Sequence, residues 1–200
     1  VRPGRVAETS GPIRAPALGV WHDWEVSESL AGKLLIASPR LIDPNFDRTV
    51  VLILQDDEEG TVGVVLNRPT TEKIEDHLPE WSARAARPGL VHYGGPVAPQ
   101  TAIGVGGGAE GMAVGVPGLG LIDLGKSPAD DGPPVRVYSG YAGWGQGQLS
   151  DELTMGSWYV VQAAPDDPFD ASEGMWRRVL RRQAGSLALV STYPDHVELN

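Results

Sequence analysis

From Gly140 to Gly147 the chain reads Gly-Tyr-Ala-Gly-Trp-Gly-Gln-Gly, four glycines in eight positions with Tyr141 and Trp144 set among them. Glycine weakens regular structure by about 0.5–1 kcal/mol per residue relative to Ala. So dense a run is expected where the backbone must adopt shapes, or approach neighbours, that other residues forbid. Val135–Ser139 before it reads as a strand, and Gln146–Met155 after it suits a short helix. The expectation is a strand delivering a glycine loop to a helix N-terminus. Such a junction presents free backbone N–H groups and a positive dipole end, suited to carboxylate or phosphate. The competing reading is a tight bend whose glycines let Tyr141 and Trp144 pack inward, and the run has no P-loop lysine.

A chain of 200 residues suits one domain with a sizeable core, and 26 Gly with 17 Pro predict short elements joined by many turns. With no cysteine, thiol nucleophiles, disulfides and thiolate metal sites are excluded. That composition is compatible with a reducing compartment, and a cytoplasmic location is expected. The formal charge of −10, from 16 basic and 26 acidic residues, repels phosphate backbones unless cations cluster. The best cluster, Arg177, Arg178, Arg181 and Arg182, reads as a solvated helix face with cations toward the negative helix end. Direct nucleic-acid binding is therefore not expected. Apolar runs such as Val50–Leu54 are far shorter than the ~20 residues of a spanning helix, so no membrane segment is expected. Residues 1–22 hold Arg2, Arg5 and Arg14 without the apolar stretch of a secretory signal, and read as a flexible leader. Residues 23–196 are then one domain and 197–200 a tail.

Along that domain, Asp23–Ala31 suggests a short helix ending at Gly32, and Lys33–Ser38 a strand. Arg48–Gln55 and Thr61–Arg68 read as buried strands joined by the charged turn Asp56–Gly60, a hairpin signal. Thr70–Leu78 is expected to be helical with Thr70 or Thr71 as cap, followed by a second helical stretch from Pro79 toward Arg87. Leu90–Tyr93 is a short strand. Val97–Pro134 reads as loop-rich, with strands near Thr101–Val105 and Leu119–Leu124, and Trp158–Ala163 as a strand. The clearest helix lies near the C-terminus, with Asp170 and Glu173 placed like a capping box and Trp176, Val179 and Leu180 on one face. Leu187–Ser191 reads as the last strand. The irregular mixture predicts an α+β fold.

Five islands, taken together, resemble the YqgE/AlgH family of bacterial proteins. They are Gly32-Lys33-Leu34-Leu35-Ile36-Ala37, Asp43-Pro44-Asn45-Phe46-Asp47-Arg48-Thr49-Val50, Gly60–Pro69, Gly94-Gly95-Pro96-Val97 and Gly140–Leu149, with Glu152 and Trp158 following. The resemblance implies a single domain with a coiled, partly barrel-like mixed or antiparallel sheet surrounded by helices. One branch of that family carries the label of a transcriptional regulator of exopolysaccharide synthesis. This chain has no helix-turn-helix or zinc-finger spacing. Many family members have a histidine just after the first hairpin strand, where this chain has Gln55-Asp56. Many also have a Phe-x-x-His-like segment after Gly-Gly-Pro, where this chain runs Ala102-Ile103-Gly104-Val105-Gly106.

The candidate site residues are Asn45, Arg48, Asn67, Arg68, Gly94, Gly95, Gly140, Tyr141, Gly143, Trp144, Gly145, Gln148 and Glu152. Against a cleft stands the architectural reading, in which the polar members only close strand ends. Gly104–Ala109 formally fits a dinucleotide fingerprint, but residues 110–120 are too rich in glycine for the helix it requires. Of four histidines, only His92 beside Tyr93 suggests a base, and none shows metal-pair spacing. The expected role is regulatory or small-ligand binding without catalysis, using residues 140–152, with an anionic small molecule or a protein as partner. No cofactor or metal is expected, and a homo-oligomer is compatible with the sequence. One alternative is a hydrolase or transferase acting on a phosphorylated small molecule, with Glu152, Asp47 or His92 moving the proton. Another is a transcription-associated regulator acting through protein contacts.

Overall fold

Apolar runs without polar alternation form strands only where both sheet faces are covered. The first two strands meet that condition. In a computed structural model that describes residues 29–108, 112–129, 131–171 and 173–194, β1 (Lys33–Ala37) pairs antiparallel with β2 (Val50–Asp57), Leu35 opposite Val51. Leu34, Ile36 and Leu52 enter one core, Leu35, Val51 and Ile53 another, and all six are fully buried. The leader, most of the helix read at Asp23–Ala31 and the tail 197–200 lie outside the described residues.

The chain continues through β3 (Gly60–Val65), β4 (Pro69–Lys73), helix α1 (Ile74–His77) and a 3-10 turn at Pro79–Arg84. Strands β5 (Leu90–Tyr93), β6 (Val97–Gly107), β7 (Met112–Ala113), β8 (Leu119–Ile122) and β9 (Val135–Gly145) follow. Helix α2 (Gln148–Thr154), β10 (Trp158–Gln162), a second 3-10 turn (Asp167–Phe169), α3 (Met175–Arg181) and α4 (Ser186–Val190) complete it. The strands make one curled, mainly antiparallel sheet in the order β10-β1-β2-β3-β9-β6-β8-β7, and β5, itself paired with β4, joins β9 in parallel. The α+β class and the single coiled sheet are as expected. Among the described residues no helix is long and apolar enough to cross a membrane, which says nothing of strands.

Four local expectations are corrected. Most of the glycine run is not a loop: Gly140–Gly145 is the second half of β9, with Ala142 and Trp144 buried and alternate Gly143 and Gly145 exposed, and Gln146 and Gly147 alone make the turn into the next helix. Thr70–Lys73 is strand, because Thr70 Oγ1 donates to the Val91 carbonyl (2.7 Å) and the segment pairs with β5. Pro69 is tolerated there because β4 is an edge strand. Leu187–Val190 is helical, because Leu187 and Val190, three apart, pack onto the core beside α3. Helix α3 starts after Gly174 with no side-chain cap, and Asp170 pairs instead with Arg178 at 2.6 Å. The region read as loop-rich also holds the eleven-residue β6, whose register against β9 shifts between Val97 and Ala102.

β9 belongs to both halves of the sheet. Its C-terminal half pairs with β3, and its N-terminal half lies between β5 and β6. At the change of partners Gly140 takes a φ of +70°, and a Cβ there would lie 2.5 Å from the Gly95 carbonyl oxygen. A Cβ on Gly95 (φ +151°) would in turn lie 2.2 Å from the carbonyl carbon of Tyr141. No side chain fits between these strands. Nearby, Arg136 is fully buried and donates to the carbonyls of Ala86, Arg87, Pro168 and Phe169, at 2.8–3.3 Å. One guanidinium thus ties the segment before β5 to the 3-10 turn before α3.

Gly140→Ala is expected to lose on the order of 3 kcal/mol or more, or to give no soluble protein. Gly145→Ala, whose Cβ would meet nothing within 4 Å, is expected to stay within about 1 kcal/mol of wild type in urea denaturation. Equal losses would disprove the crossing's importance. Arg136→Leu leaves four carbonyls without their donor, two of them in bonds that are buried, and is expected to cost about 3–5 kcal/mol in the same assay.

Candidate functional site

Between β1 and β2 the chain makes a series of tight turns. Asn45 N donates to Asp43 Oδ1 (2.8 Å), Phe46 N to the Asp43 carbonyl (2.9 Å), and Thr49 Oγ1 to the Phe46 carbonyl (2.8 Å). They end at Arg48, which adopts a left-handed backbone (φ 54°) that costs a residue with a Cβ about 1–2 kcal/mol. Asn67, just past β3, holds it there. Its Nδ2 donates to the Arg48 carbonyl at 2.8 Å, and its Oδ1 accepts the Val50 N–H at 3.0 Å. The side chain of Arg48 is thereby turned toward α3, where its guanidinium lies 4.4 Å from the centre of the Trp176 ring. It also donates to the carbonyls of Tyr193 (3.3 Å) and Pro194.

This arrangement opens a cleft of about 310 Å³ between the first hairpin, the start of β4 and the N-terminal end of α3. Its lining includes three arginines, Arg48, Arg68 and Arg177, and two acidic residues, Asp170 and Glu173. Arg68 donates to the Asp47 carbonyl and Arg177 to that of Ser191, so both are oriented by backbone. Asp170 is engaged by Arg178. His92 borders the same cleft but is 1% exposed, packed edge-on against the Tyr138 ring with centroids 6.0 Å apart. Burial first, and the Arg136 charge second, push its pKa down to about 4. The imidazole is therefore neutral at physiological pH and a poor proton acceptor.

The sequence candidates fall into three places. Arg48, Asn67 and Arg68 line the cleft, with Asn45 nearby as acceptor of the Tyr93 hydroxyl (3.3 Å). Gly94, Gly95, Gly140 and Tyr141 form the backbone crossing, where Gly94 N donates to the Ser139 carbonyl (2.8 Å). Gly145, Trp144, Gln148 and Glu152 make a third group on the opposite face of the sheet, while Gly143 lies exposed on β9. There one Glu152 oxygen accepts both the Trp144 and the Trp158 indole N–H, at 3.0 and 2.8 Å. The other takes the Gln148 amide at 3.0 Å, and the Gln148 carbonyl oxygen accepts Gly145 N–H at 3.1 Å. Phe46 packs on both indole rings. Glu152, within α2, therefore lies away from the cleft.

Sequence reasoning missed the α3 side of the cleft. Trp176 joins the core as its helical spacing suggests, yet it also lines the cleft, and the arginines that read as a solvated face are engaged. In the fold Arg178 pairs with Asp170 and Arg182 with Asp167, each at 2.6 Å, while Arg177 reaches the Ser191 carbonyl. The adjacency of Trp176 and Arg177 was the only sequence signal. Among the described residues, no three His, Asp or Glu side chains converge as a metal ion would require.

A curled antiparallel half-barrel with an arginine-lined cleft against its C-terminal helices is the class these features define. The chain belongs to the AlgH-like family, whose model matches residues 34–188. It is similar to a UPF0301 protein of Streptomyces coelicolor, 51% identical over 191 residues, covering 88% of this chain and 97% of the relative. A UPF0301 protein of Thermobifida fusca is 42% identical over 199 residues, covering 86% and 96%. The crystal structure of a Corynebacterium diphtheriae protein matches with a TM-score of 0.76 at 31% identity, covering 84% of this chain and 95% of that one. The solution structure of the AlgH protein from Pseudomonas aeruginosa matches at 0.61 and 25%, covering 87% and 99%.

Neutral burial of His92 has a pH consequence. Below pH 6.5 the unfolded chain takes up a proton that the native ring refuses until about pH 4, so stability present above pH 6.5 is lost as pH falls toward 4. Between pH 7 and 5, wild type is expected to lose ~2 kcal/mol more than His92→Gln in urea denaturation. Parallel pH profiles for the two proteins would contradict the assignment.

Proposed function

We propose that this chain is a non-catalytic binding domain for a small anionic ligand, held in the cleft of Arg48, Arg68 and Arg177. The observation that carries this reading is convergence: arginines from three separate segments line one opening in a chain whose net charge is −10. Guanidinium forks match carboxylate and phosphate oxygens in bidentate geometry, and each charge-assisted bond is about twice as strong as a neutral one. Asn67 has both amide atoms committed to the backbone and acts as a positioning residue. The glycine-rich half of β9 contributes by placing β3, whose end carries Asn67 and Arg68.

Catalysis has less support. A hydrolase or transferase acting on a phosphorylated small molecule would need a base at the cleft, and the adjacent imidazole is buried and weakly basic. Glu152 is engaged by two indoles on the other face. A regulatory role through protein contacts, the other reading of the sequence, is compatible with ligand binding. The cytoplasm is the location that goes with this reading, and residues 23–196 the folded unit.

Calorimetric titration with inorganic phosphate, pyrophosphate and a panel of phosphorylated and carboxylated metabolites tests the proposal. At least one anion is expected to bind, with affinity reduced about tenfold or more in Arg68→Ala and also reduced in Asn67→Ala. Gly145→Ala is expected to bind like wild type. Unaltered affinity in Arg68→Ala, or no binding by any anion, would refute it.

A further inference from the structure

We infer that residues 191–194 are an internal competitor for the cleft, so that a bound anion releases them. This rests on the anion-binding reading above and assigns its regulation. The two guanidinium groups at the α3 side are shared. Arg48 donates to the carbonyls of Tyr193 and Pro194, with its charge 5.7 Å from the centre of the Tyr193 ring, and Arg177 donates to the Ser191 carbonyl. The segment is also tied locally: Thr192 N–H donates to the Leu189 carbonyl and Tyr193 N–H to that of Val190, both 3.0 Å, continuing the last turn of α4. Ser191 is buried, but Tyr193 is 41% exposed and Thr192 and Pro194 are exposed too, so core packing does little to keep 192–194 in place.

Carbonyls of the segment accept from both arginines, and a phosphate or carboxylate oxygen is a stronger acceptor than a carbonyl for the same N–H groups. As an anion draws the Arg48 guanidinium into the cleft, the Tyr193 and Pro194 carbonyls lose their donor and the ring loses its cation. The segment then depends on its single-turn hydrogen bonds, which open readily at the end of a helix. By linkage the reverse holds: whatever loosens the segment strengthens anion binding by the same factor. The left-handed backbone of Arg48, fixed by Asn67, keeps its guanidinium within reach of both acceptors.

Hydrogen exchange on the full chain, with pyrophosphate as probe, tests this. Saturating pyrophosphate is expected to speed exchange of the Thr192 and Tyr193 amides about fivefold or more, and Tyr193→Ala to bind pyrophosphate about threefold tighter or better than wild type. If pyrophosphate binds wild type while those amides keep their rates and Tyr193→Ala shows unchanged affinity, the competition is refuted and the binding site stands. If pyrophosphate binds neither protein, this inference falls. If every other anion in the panel also fails, the binding reading falls with it.

Discussion

The fold depends on two backbones passing without side chains between them. Gly94 and Gly95 lie against Gly140 and Tyr141, and any Cβ at Gly94, Gly95 or Gly140 would come within 2.5 Å of a main-chain atom. This contact lets β9 leave its pairing with β5 and β6 and take up β3, joining two sets of strands into one curled sheet. Val65 N–H donates to the Gly94 carbonyl at 2.8 Å, so the crossing also sets where β3 ends. Everything placed by the end of β3 inherits that geometry.

Asn67 and Arg68 inherit it directly. By gripping both sides of Thr49, Asn67 transmits the position of β3 to the left-handed Arg48. The strain at that residue is of the same size as the one or two net hydrogen bonds that hold it, each worth about 1 kcal/mol. Without the neighbouring strand in register, the turn would relax and its cation would point elsewhere. On the other wall, Trp176 is fixed by burial and by its indole N–H on the Ala37 carbonyl (2.8 Å), giving the guanidinium a rigid face. The cleft is thus a by-product of sheet closure, with its charge supplied by surface turns.

Much of this was legible in the chain. The uninterrupted runs at Leu34 and Val50 announced strands buried on both faces, and the apolar face of α3 announced its packing. The alternation of Ala142 and Trp144 with glycine carries a strand's period of two, but glycine's low strand preference masked it and the run reads as a loop. Leu187–Val190 misled for a related reason: four apolar or small residues carry no period, and only the place where they packed chose helix. Among site residues, Arg48, Asn67 and Arg68 came to one cleft, whereas Trp144 and Glu152 came to another face. Strand ends lie close in sequence to both faces, and one residue of register separates them.

The sequence by itself determined the composition of the cores, the presence of one coiled sheet with helices around it, and the points where only glycine would serve. These follow from local rules: hydrophobic period, backbone freedom and net charge act within a few residues. Which arginines would share an opening was decided by the tertiary structure alone. Arg48, Arg68 and Arg177 are separated by long stretches of chain, and their meeting depends on the curl of the sheet, on a bend at Gly140 and on Asn67 bridging two strands. None of those distances is encoded in any short segment.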